Sequence, residues 1–94
     1  MPDDKNRQQV VHVQSERFQS LYTNNANVQI SYFDFRFEFR QLMPGADGGI
    51  VVERMASVVM SPQHAKAFLG VMAENIRQYE EQFGAIRMER PVEH

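Results

Sequence analysis

The sequence predicts a small α+β domain. An antiparallel sheet, made of a long bulged hairpin and a short N-terminal strand, carries one C-terminal helix packed across it. Three observations lead there. Residues 27–43 and 50–60 alternate apolar and polar side chains, a Pro- and Gly-rich turn lies between them, and residues 62–83 repeat apolar side chains at helical spacing. With 94 residues there is room for one domain. The expected organisation is a disordered tail over 1–9, a single domain over 10–84 and a charged tail over 85–94.

The elements follow in order. Val10-Val11-His12-Val13 is a β-branched run and reads as the short first strand. Ser15 can cap a helical turn or two in which Phe18, Leu21 and Tyr22 share a side. The asparagines of 23–27 favour a turn. From Asn27, Val28, Ile30 and Tyr32 are apolar at even positions. After Tyr32 the phase flips, and Phe33, Phe35, Phe37 and Phe39 take the odd ones, with Asp34, Arg36, Glu38 and Arg40 between them. A straight strand would turn one apolar set into water. A β-bulge or sharp bend near Tyr32-Phe33 repairs the phase; cover on both faces is the rival account.

Pro44-Gly45-Ala46-Asp47-Gly48-Gly49 is a turn, because Pro fixes φ and Gly accepts positive φ. Ile50, Val52, Ala56, Val58 and Met60 then place one apolar set on a second long strand, interrupted by Arg54. The two strands are expected to pair as an antiparallel hairpin. Ser61 is a favoured N-cap and Pro62 suits the first helical position. Leu69, Met72, Ile76, Tyr79 and Phe83 recur at spacings of three and four, with Ala65 and Phe68 extending the stripe upstream. Gly84 is placed to end the helix with positive φ.

Composition excludes several classes. With 43% apolar and 23% charged residues the chain is too apolar for a disordered one. Its net charge of −2 gives no general field for nucleic acid or an anionic membrane. No run approaches the roughly 18 apolar residues of a membrane span, and the polar start lacks a signal-peptide pattern. Zero cysteines exclude disulfides and thiolate chemistry. A cytoplasmic protein is the expectation.

The lengths favour self-association. At about 3.3 Å per residue, a straight strand over 27–43 would span roughly 55 Å, whereas a helix over 62–83, at about 1.5 Å per residue, spans about 33 Å. One helix cannot roof such a sheet, so either the long strands fold back or a second copy covers the remainder. A homodimer is the principal expectation.

Certain residues carry a family resemblance. Tyr22-Thr23-Asn24, Phe33-Asp34-Phe35, Leu42-Met43-Pro44-Gly45, Val52 and Arg54 belong to it in the first half of the chain. Met60-Ser61-Pro62-Gln63-His64-Ala65-Lys66, Asn75-Ile76, Tyr79-Glu80 and Phe83-Gly84 follow. Over about residues 10–84 the sequence resembles an uncharacterised family of short prokaryotic proteins, domain of unknown function 3467. It departs from the family pattern in its four alternating phenylalanines. The resemblance implies a bacterial protein with this segment order, and it implies no activity.

No catalytic, cofactor or metal residues are expected. His12, His64 and His94 lie in distant segments without ligand spacing. A triad from Ser57 or Ser61 with His64 and Asp34 lacks a nucleophile elbow. The expected role is a non-enzymatic homodimeric interaction module, and the candidate surface is Phe35, Phe37, Phe39, Arg36, Arg40, Arg54 and Met55. Arg54 is free to pair with Asp34 or Glu38, or to fall at a subunit boundary. The alternative is a chaperone-like or adaptor protein that takes a peptide or apolar ligand in a groove lined by Met and Phe, six Met being many for this length. Base stacking of single-stranded nucleic acid on the aromatic stripe ranks lower, because acidic residues balance the arginines. Ser61, His64 and Lys66, at a positively polarised helix start, form a weak candidate anion site.

Overall fold

The computed structural model describes residues 8–89. Residues 1–7 and 90–94, with the outer parts of both expected tails and His94, lie outside the described residues. The element order is β1 (Asn25–Ile30), β2 (Phe35–Pro44), β3 (Ile50–Met60) and α1 (Pro62–Phe83). The strands form one antiparallel sheet in the order β1-β2-β3. The α+β class and the single C-terminal helix are as the sequence predicts, but three details of the sheet differ.

The third strand is not the Val10–Val13 run, which is irregular and exposed along with His12. A β-branched run becomes a strand only where it finds a ladder partner, and here β1 occupies the place beside β2. The predicted helical turns after Ser15 reduce to one turn, closed by Phe18 N–H donating to the Ser15 carbonyl at 3.0 Å. So short a segment does not repay the cost of helix nucleation.

The second correction concerns residues 27–43, which form two strands rather than one. The chain reverses through Ser31–Asp34, where the Ser31 N–H donates to the Asp34 carbonyl at 2.9 Å. The Ser31 hydroxyl oxygen accepts from Phe33 N and from Asp34 N, both at 3.1 Å. The phase flip at Tyr32-Phe33 therefore marks a hairpin, the sharp bend of the two expected repairs. Pairing Val28 with Phe37 and Ile30 with Phe35 brings the even apolar set of β1 onto the same face as the odd set of β2. Asn24 extends this ladder with its side chain, since its Oδ1 accepts from Leu42 N at 2.8 Å.

A bulge also exists, in the second hairpin. Phe39 pairs with Ala56, but Arg40 pairs with Arg54, which leaves Met55 as an extra residue in β3. The expected single apolar set of β3 is thereby split. Ala56, Val58 and Met60 share the phenylalanine face, while Ile50, Val52 and Arg54 fall on the opposite one with Glu38, Arg40 and Leu42. The β2–β3 turn forms as predicted, with Gly48 at φ 84° and Gly45 N–H donating to the Gly49 carbonyl at 2.7 Å.

Helix α1 begins and ends at the predicted residues. Ser61 accepts from His64 N at 3.1 Å, Pro62 opens the first turn, and Gly84 at φ 96° donates its N–H to the Glu80 carbonyl at 3.0 Å. The helix meets the sheet at its N-terminal half, where Phe68 lies edge-on to Phe37 with ring centroids 6.2 Å apart. Among the described residues Ala65 is the one buried apolar residue. The chain extends over 69 × 35 × 30 Å with a radius of gyration of 18.9 Å, against about 12 Å for a compact domain of this length.

Candidate interaction surface

Between α1 and the phenylalanine face of the sheet lies a groove of about 510 Å³. Val28, Phe35 and Phe37 form its sheet wall, and Ala65, Phe68, Leu69 and Met72 form its helix wall. Strand alternation sets the first wall and the i, i+3, i+4 spacing sets the second. Pro62 and Lys66 complete the rim, Lys66 contributing an apolar stem below a charged head.

Beyond Met72 the stripe continues along α1 without cover from the sheet. Leu69 is 68% exposed, Ile76 43%, Tyr79 50% and Phe83 70%. The rings of Tyr79 and Phe83 lie 4.9 Å apart as a protruding aromatic pair. On the outer side of the helix, Arg77 donates to Glu74 at 2.6 Å and also to Glu81. The Arg77 guanidinium, with help from the Gln78 amide, holds the Glu74 carboxyl below its ordinary 4.5, and Glu74 raises Arg77 in turn.

The expected surface residues divide between two faces. Phe35, Phe37 and Phe39 share one face, where Phe37 and Phe39 stack with centroids 6.5 Å apart; only Phe35 and Phe37 line the groove. Arg36, Arg40 and Arg54 lie on the other face. There Arg54 Nη2 donates to Glu38 Oε2 at 2.8 Å, and Arg40 Nε donates to Asn25 Oδ1 at the same distance. Of the alternatives for Arg54, the cross-strand pair with Glu38 is the one formed. Met55 is the bulge residue and borders a second hollow of about 230 Å³ with Glu38, Arg54, Ala56 and Ser57. The seven residues therefore do not form one continuous surface: the odd phenylalanines and the even arginines project to opposite sides of β2.

At the helix start, the Ser61 oxygen accepts the His64 N–H, so the cap already satisfies one of the donors that an anion would need. His64 is exposed and Lys66 sits on the groove rim. Sequence reasoning left Val28, Pro62, Ala65, Phe68, Leu69 and Met72 out of the surface. Their signal was the apolar stripe itself, which marks a face without telling what covers it.

Among the described residues no cluster of three or more metal-binding side chains occurs, and no helix is long and apolar enough to cross a membrane. Nothing matches the chain among curated proteins or among solved structures. A family model does match, over residues 1–88; the chain belongs to the family of proteins of unknown function DUF3467.

Proposed function

We propose that this protein is a non-enzymatic, homodimeric protein-interaction module of the bacterial cytoplasm. One observation carries the homodimer. The chain exposes 9478 Å², whereas a folded monomer of its mass exposes about 5,600 Å². Obligate homodimers bury about 2,000–5,000 Å² in total, which is the scale of this surplus. The uncovered stripe of α1 supplies part of it, beside the exposed apolar residues of 10–22 and Tyr32-Phe33. The non-enzymatic reading rests on the absence of a convergent acid, base and nucleophile among the described residues.

Light scattering after size exclusion at micromolar concentration tests the assembly. The expected mass is twice the 11.0 kDa of the chain; a single-chain mass would overturn the reading.

A second reading is supported by the groove, whose 510 Å³ falls within the roughly 300–1,000 Å³ of ligand sites. There the protein is a chaperone-like adaptor for a peptide or apolar ligand. Uptake of an apolar fluorescent dye by the native protein, displaced by an apolar peptide, is its expected signature. Single-stranded nucleic acid is disfavoured because the aromatic groove and the arginines lie on opposite faces.

A further inference from the structure

We propose that the groove is occupied by a second copy of the chain. The two α1 helices pair antiparallel about a two-fold axis beside Ile76, and the aromatic pair of each copy enters the groove of the other. This deepens the homodimer reading and rests on it.

Continuity is the first support. Leu69 and Met72 belong both to the groove wall and to the uncovered stripe, so a helix laid along the stripe runs directly into the groove. The repeat of three and four residues over Leu69, Met72, Ile76, Tyr79 and Phe83 is that of helices packing in near-parallel or near-antiparallel register.

Shape is the second. With the axis at Ile76, Phe83 faces the partner's Leu69, because each stands seven residues from the axis. Tyr79 faces the partner's Ala73, each three residues away. The large aromatic ring thus meets the small Ala73 beside the seam, and the partner's Tyr79 and Phe83 arrive at the open end of the groove. Both are at least half exposed in the single chain.

Charge is the third. The seam is flanked by Ala73, Asn75 and Gln82, while Glu80 is engaged by Ile86 N at 2.9 Å. Arg77 bridges Glu74 and Glu81 on the outer side, away from the seam. An identical helix therefore approaches without the like-charge opposition that rejects self-pairing. A parallel pairing would instead stack Phe83 on Phe83 and leave both grooves unfilled.

The chain has no cysteine, so cysteines introduced one at a time report the pairing directly under mild oxidation. Ile76→Cys is expected to give a disulfide-linked dimer on a non-reducing gel. Phe83→Cys alone is expected to give none, since two such residues would lie about 21 Å apart along the seam, beyond the roughly 7 Å limit for a disulfide. An equimolar mixture of Phe83→Cys and Leu69→Cys, refolded together, is expected to cross-link. Ala73→Cys mixed with Tyr79→Cys is a second pair that leaves Ile76 and Phe83 in place, and circular dichroism of each variant checks that it is folded.

A wild-type mass of two chains without a cross-link in folded Ile76→Cys or in the Ala73/Tyr79 pair would overturn this pairing and leave the homodimer standing. Self-cross-linking of Phe83→Cys would replace it with the parallel arrangement. A single-chain mass would remove both.

Discussion

Arg54 meets Glu38 across the β2–β3 ladder because Met55 is an extra residue in β3. The bulge rotates Arg54 out of the apolar set to which its even number assigns it and onto the polar face, where its Nη2 lies 2.8 Å from Glu38 Oε2. Were Met55 instead a paired residue of a regular strand, Arg54 would stand in line with Ala56, Val58 and Met60 on the phenylalanine face.

Deleting Met55 is therefore expected to leave the strand pairings in place, because Arg54 is then joined directly to Ala56 and still faces Arg40. Arg54 is 75% exposed, and exposed pairs contribute about 0–1 kcal/mol. Arg54→Met should thus shift a urea midpoint little. Removal of Met55 keeps Ile50, Val52 and Arg54 on their face, whereas removal of the paired residue Gln41 would carry Leu42 to the other face and should cost about 2 kcal/mol or more. Equal midpoints for the Met55 and Gln41 deletions would contradict the bulge.

Ser61→Ala removes the acceptor for His64 N. A loss of about 1 kcal/mol is expected in chemical unfolding. Ser61→Thr, which keeps the oxygen, should retain most of it.

Gly70→Ala should stabilise. A Cβ built at Gly70 meets nothing within 4 Å, and Gly in a helix interior costs about 1 kcal/mol relative to Ala. Residue 70 also stands off the 69–72–76–79–83 seam, so the gain is expected at unchanged oligomeric mass. Gly48, at φ 84°, should respond in the opposite sense to the same substitution.

The Glu74–Arg77 pair sets a small acid dependence. Glu74 lies below its ordinary 4.5 in the folded chain because of Arg77. A depressed carboxyl contributes stability above its unfolded value and loses it as pH falls through the folded one. Carboxyl NMR should place the Glu74 midpoint below 4.5 and raise it toward that value in Arg77→Ala. With both groups exposed, high salt should weaken the effect.

By itself the sequence determined the features that depend on neighbouring residues. Ser61, Pro62 and Gly84 bound α1, and Pro44–Gly49 holds the second turn, because caps and turns are fixed by φ restrictions and hydrogen bonds over a few residues. Leu69, Met72 and Phe83 likewise declared an apolar face. The tertiary structure decided what depends on distant partners. Val10–Val13 has β-branched side chains but no ladder; Tyr32-Phe33 marks a reversal only once β1 lies beside β2; and Arg36 separates from Phe35 and Phe37 because alternation in β2 sends them to opposite sides. Local signals fix backbone conformation at their own positions, whereas register, face and cover are set by which strand or helix arrives from elsewhere, and only packing of the whole chain selects among those pairings.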